Sequence, residues 1–154
     1  MKSVRKQIAQ LMTALNRINC CYAVCAQTSD LKENELMILY ALADGVPYSP
    51  KQISDEWGIP RTTVNTIIKD WEIKGLVFLS SIPGKRREMN ILLTEAGQKL
   101  ANSVLDKIIE MENAAMQETV EKFSPEFISV LRDYETRLRA HCKRLFGDAP
   151  TGPF

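Results

Sequence analysis

Residues 57–76 read WGIPRTTVNTIIKDWEIKGL, and this stretch restricts the fold more than any other. Gly58 tolerates the positive φ of a tight turn, and Pro60 fixes φ at the value a helix start needs. Beyond them Val64, Ile67, Ile68 and Trp71 recur at helical spacing and define one apolar face. Arg61, Thr62, Thr63, Asn65, Thr66 and Lys69 are left on the other face. Gly75 stops the period. The spacing predicts a helix anchored by one side, entered through a tight turn, with short polar side chains facing outward.

The flanking segments give that helix its setting. Upstream, Ser49-Pro50-Lys51-Gln52 is a helix-start signal, with Ser49 as cap, Pro50 at the first helical position and Gln52 reaching back. It opens a short helix whose Ile53 and Trp57 point inward. Before it, Asp30 is expected to cap a helix with Glu33 reaching back, and Leu36, Leu39, Tyr40 and Ala43 follow until Gly45. Downstream the period changes to that of strands at residues 77–81 and 88–93. Between them Pro83-Gly84 suits the centre of a type II turn, followed by Lys85, Arg86 and Arg87. Helix resumes at Thr94 and continues through Leu100, Val104, Ile108 and Met111.

The order helix, short helix, turn, helix, basic hairpin is that of a winged helix-turn-helix. The expected fold class is mainly α with a small β-hairpin wing. In such a fold the second helix of the pair enters the DNA major groove. Asn65 carries the paired donor and acceptor that can read adenine, and threonine methyls can touch a thymine methyl. Arg61 and Lys69 suit phosphates, as do Lys85, Arg86 and Arg87 at the wing tip. Taken alone, Thr62, Thr63 and Thr66 would serve equally well as a solvated helix start. The Trp57-Gly58-Ile59 turn, the Gly75-Leu76-Val77 exit and the basic tip decide for DNA. Charge agrees: the net charge of the 154 residues is only +1, but residues 60–93 hold six basic and three acidic side chains.

The two ends carry long apolar seams. Val4, Ile8, Leu11, Leu15, Ile18, Tyr22 and Cys25 follow one another at steps of three and four, as do Phe127, Leu131, Tyr134, Leu138, Cys142 and Leu145. A terminal helix cannot cover its own seam, so each must meet another helix, from this chain or from a second copy. We therefore read residues 1–154 as one domain, with dimerisation helices at 1–29 and 100–147 and a DNA-binding lobe at 30–99. The tail from Gly147 on is rich in Gly and Pro and is expected to fray.

With the motifs in place, ISDEWGIPRTTVNTIIKDWEIKGLV, the basic wing and the following LLTEAG resemble the MarR family of bacterial transcriptional regulators, in order and spacing and over nearly the whole chain. The resemblance implies a homodimer with one winged lobe per half-site, and often a small-molecule pocket between winged and dimerisation parts. Here Tyr22, Tyr40 and Trp57 are the candidates for such a pocket; an aromatic or lipophilic effector would suit them, and core packing explains them equally well. The expectation is a cytoplasmic repressor of duplex DNA acting on a palindromic operator. The wing departs from the family, with Ile82 and Gly84 where an aspartate and an arginine are common. Pro60 stands where a capping Ser or Asp often begins the recognition helix.

Two alternatives stand beside this reading. One is a thiol-based redox sensor, raised by Cys20, Cys21 and Cys25, although none matches the sensing position of the family's peroxide-responsive branch. These thiols and Cys142 sit within apolar patterns and are expected to be reduced and half-buried. The other is a winged-helix protein-interaction module without DNA contact, which would not need the positive charge of residues 60–93. No apolar run approaches the ~20 residues of a membrane span. With one histidine, His141, and no Cys-x-x-Cys pair, zinc spacing is absent. Glu110 and Glu112, two apart, point to different helix faces. No nucleophile–base set or phosphate loop marks an enzyme, and no cofactor is implied.

Overall fold

The computed structural model describes residues 2–84 and 88–147, as six helices and one hairpin. In chain order these are α1 (Lys2–Thr28), α2 (Glu33–Leu42), α3 (Pro50–Trp57), α4 (Arg61–Ile73), β1 (Val77–Ser81), β2 (Met89–Leu93), α5 (Glu95–Phe123) and α6 (Glu126–Phe146). The chain divides into two compact units, one up to residue 37 and one from residue 38. A mainly helical chain with a single antiparallel hairpin is the architecture the sequence implies.

In the first unit α1 spans 27 residues and carries the whole seam from Val4 to Cys25. Its end corrects one sequence expectation. Asp30 does not cap α2. It takes φ +55° and closes α1, with the Leu31 N–H donating to the Ala26 carbonyl (3.0 Å) and the Asp30 N–H to the Gln27 carbonyl (3.4 Å). An aspartate tolerates this left-handed position better than most residues. The reaching-back carboxylate is Glu35, not Glu33, and it accepts from the Lys32 N–H at 2.8 Å.

In the second unit, α3, α4 and the hairpin surround a core of Ile53, Ile59, Val64, Trp71, Val77 and Ile91. Ser49 and Gln52 form the expected capping box: the Ser49 N–H donates to Gln52 Oε1 (2.9 Å), and Ser49 Oγ accepts from the Gln52 N–H (3.3 Å). Gly58 closes α3 with φ +67°, the turn that only a residue without Cβ makes easily. The strands pair from Val77↔Leu93 to Ser81↔Met89. An additional bridge not legible in the sequence joins the loop before α3 to the sheet, the Ile91 N–H donating to the Tyr48 carbonyl at 2.8 Å.

The Leu-Thr-Glu-Ala-Gly motif ties α5 to the end of α4. Thr94 Oγ1 donates to the Gly75 carbonyl (2.6 Å) and accepts from the Gly97 N–H (3.1 Å), while the Thr94 N–H donates to the Leu76 carbonyl (3.0 Å). The first turn of α5 therefore lies directly on the Leu76 carbonyl. A Cβ at position 97 would collide with that oxygen, so Gly97 is required by close approach. The buried line of α5 is Gly97, Ala101, Val104, Leu105 and Ile108. Met111, expected on this line, is exposed, and Leu100 is half-buried. Among the described residues none of α6 is buried.

Candidate nucleic-acid interface

The outer face of α4 follows directly from its sequence. Val64, Ile67, Ile68 and Trp71 are buried and fix the helix to its lobe. That leaves Arg61, Thr62, Asn65, Thr66 and Lys69 exposed along the opposite side, while Thr63 is half-buried at the boundary. The Thr66 hydroxyl donates to the Thr62 carbonyl at 2.9 Å, which satisfies its proton and leaves its oxygen facing out. The helix starts at Pro60 with no side-chain cap, so its first amides point outward without a side-chain acceptor. It ends in a paired turn at Gly75 (φ +69°), with the Leu76 N–H donating to the Trp71 carbonyl at 2.8 Å.

One stripe of this face borders a groove. Arg61, Asn65 and Lys69 succeed one another every fourth residue and line a concavity of about 240 Å³. Its other wall comes from the hairpin, with Leu79 and Met89, and from the first turn of α3, with Lys51. Glu72 and Glu88 also line it. Sequence reasoning missed Lys51, because nothing in a capping box indicates which groove its neighbours face. Gly84, in the turn after β1, has φ +79°, the value a type II turn asks of its third residue. Lys85, Arg86 and Arg87 lie outside the described residues.

Of the three residues expected around a ligand, Tyr40 and Trp57 meet, with ring centroids 5.7 Å apart and planes tilted by 59°. Tyr22 is half-buried on α1. The structure gives a partner to Glu112, which the sequence offered only as one of two carboxylates on different helix faces. The Tyr40 hydroxyl donates to Glu112 Oε2 at 2.8 Å. Its pKa is pushed up to about 12, first by burial and then by the hydrogen bond and charge of Glu112. A signal for Glu112 did exist, since it continues the buried line of α5 one turn beyond Ile108.

Three thiols differ from expectation: Cys20, Cys21 and Cys142 are exposed, whereas Cys25 is half-buried as expected, and all four are free. His141 is exposed, with Nδ1 at 3.2 Å from Arg144 Nη2. Among the described residues no group of three or more His, Cys, Asp or Glu could hold a metal, and no helix is long and apolar enough to cross a membrane.

A helix-turn-helix followed by a hairpin wing defines a winged-helix protein. Comparison with known proteins narrows the class. Residues 29–88 match the model of the MarR family. The fold is similar to a MarR family regulator from Neisseria meningitidis (TM-score 0.78, 23% identity, 90% of this chain and 97% of that one). It is also similar to a MarR family transcriptional regulator from Listeria monocytogenes complexed with 26mer DNA (TM-score 0.62, 18% identity, 88% and 87%). A third similar structure is BpsR of Bordetella bronchiseptica, whose DNA binding is regulated by 6-hydroxynicotinic acid (TM-score 0.55, 22% identity, 82% and 98%). No curated protein sequence matches the chain. Residues 29–88 thus match the MarR family model, and the chain is similar in fold to the regulators named above.

Proposed function

We propose that this protein is a sequence-specific regulator that binds duplex DNA as a homodimer, and that it represses transcription from an inverted-repeat operator. The observation that carries this reading is the outer face of α4. Five polar or cationic side chains, Arg61, Thr62, Asn65, Thr66 and Lys69, stand exposed on a helix anchored by four buried apolar residues. Short side chains let the helix backbone approach a duplex, Asn65 can pair with an adenine edge, and Arg61 and Lys69 can hold phosphates. Lys85, Arg86 and Arg87, between the two strands in sequence, add three positive charges. The Listeria structure complexed with DNA is a relative in fold and supports the same use here.

The domain roles follow the same logic: residues 30–99 bind DNA, and residues 1–29 and 100–147 join two copies. The regulation of BpsR by a small aromatic acid supports an effector for this chain as well. Tyr40 and Trp57 are its proposed contacts, and an aromatic or lipophilic molecule suits them.

The test separates base reading from phosphate holding. A duplex selected from random DNA by the wild type is compared with an unselected duplex. Asn65→Ala should weaken binding to the selected duplex by about 1–3 kcal/mol and leave the unselected one nearly unchanged. Arg61→Ala should weaken both alike. Equal losses on both duplexes for both variants would contradict the assignment.

A further inference from the structure

We infer that Lys51, on the first turn of α3, is a further phosphate-holding residue, and that the groove between α3, α4 and the hairpin receives the DNA backbone beside the recognition helix. This rests on the DNA-binding reading of α4 and extends it to a second element. Lys51 lines the same 240 Å³ groove as Arg61, Asn65 and Lys69, so three cations from two helices converge on one concavity. Its ammonium is available. Its carboxylate neighbour, Asp55, lies 3.8 Å away one turn along the same helix, and both side chains are more than half exposed (58% and 55%). A solvated pair of that length holds little.

The turn that carries Lys51 is rigid and already satisfied. Ser49 and Gln52 bond each other in both directions, so neither competes for a ligand. Pro50 has no N–H. The Lys51 N–H has no acceptor among the described residues, and it adds a backbone donor beside the ammonium. Lys51 suits a phosphate better than a base edge, because an ammonium is a point charge with no acceptor and no planar fork. Its position agrees, since in a helix-turn-helix the first helix crosses the backbone while the second enters the groove.

The carboxylates set direction. Along α4 the stripe runs Arg61, Asn65, Lys69 and then Glu72, and Arg61 and Glu72 lie about 16 Å apart along the axis. A polyanion is therefore favoured at the Arg61 end and repelled at the Glu72 end.

The experiment is a salt titration of binding by fluorescence anisotropy, on the selected and unselected duplexes. In Lys51→Gln the log–log salt slope should fall by about one unit, and both affinities should drop by about five-fold at physiological salt. Lys51→Arg should restore both. Asp55→Asn, which frees the ammonium, should tighten both duplexes. Circular dichroism should show the Lys51 variants folded, because the capping box does not use this side chain. If the wild type binds with a salt-dependent affinity and Lys51→Gln is indistinguishable from it, this inference fails and the α4 reading stands. A loss confined to the selected duplex would also overturn it, by making Lys51 a base reader. If the wild type binds no duplex in a salt-dependent way, the DNA-binding reading fails and this inference with it.

Discussion

Tyr40 and Glu112 stand 72 positions apart in the chain and form a direct hydrogen bond. No local pattern could announce such a pair, because its partners meet only after α2 and α5 are placed. The polar stripe of α4 is the opposite case. Asn65 and Thr66 are outward because Val64, Ile67, Ile68 and Trp71 are inward, and a period of 3.6 carries both facts at once. Thr63 shows the limit of that reasoning, since it falls at the edge of the two faces and is half-buried. The Tyr40 pair has a measurable consequence. The neutral phenol is favoured in the folded protein, with a pKa of about 12 against an ordinary 10.0. The unfolded chain therefore binds fewer protons than the native one between those values, and stability must fall as pH rises from 10 through 12. Below pH 10 the contribution is fully present. Chemical denaturation midpoints of wild type and Tyr40→Phe, followed from pH 9 to 12, should converge as pH rises if this holds. Parallel curves across that window would show that the phenol titrates no differently in the folded state.

At the scale of elements, the signals that held were those closed within a few residues. The Ser49–Gln52 capping box and the Gly58 turn are complete in the sequence, because their donors and acceptors lie within one turn. The start of α2 is ambiguous in the sequence for a related reason. Asp30 is both a good cap and a good left-handed residue, and only the end of α1 decides between the two. The role of Gly97 was also hidden. Within Thr94-Glu95-Ala96-Gly97 a glycine looks like a weak helix residue, whereas the structure shows it pressed on the Leu76 carbonyl, where a Cβ would collide with backbone. Gly97→Ala should therefore destabilise the protein by about 1–3 kcal/mol, although alanine is the better helix former. Urea denaturation checks this, and a more stable variant would contradict the close approach. Because α5 starts where α4 ends, the same variant should also disturb the seat of α4 and weaken DNA binding.

At the scale of the molecule, the terminal seams dominate. On α1, Val4, Ile8 and Ile18 are exposed, and on α6, Leu131, Leu138 and Leu145 are exposed, together with Val130 and Phe146. Isolated apolar side chains at a surface are ordinary, but two seams at heptad spacing are not. Both were legible in the sequence as helices needing cover, and a second copy is the cover we propose. At about 25 cal/mol per Å² of apolar surface removed from water, such an interface stabilises the assembly substantially. A two-fold dimer carries two copies of α4 related by its axis, so the DNA it reads must be an inverted repeat. Half-site centres should lie about one helical turn, ~10 bp, apart on one face of the duplex. The most direct test of this account selects the preferred duplex from random DNA and then inserts about five base pairs at its centre, half a helical turn. A two-fold dimer should select an inverted repeat, and the insertion should collapse its affinity to the level of unselected DNA. A selected site without two-fold symmetry, or an affinity unchanged by the insertion, would contradict it.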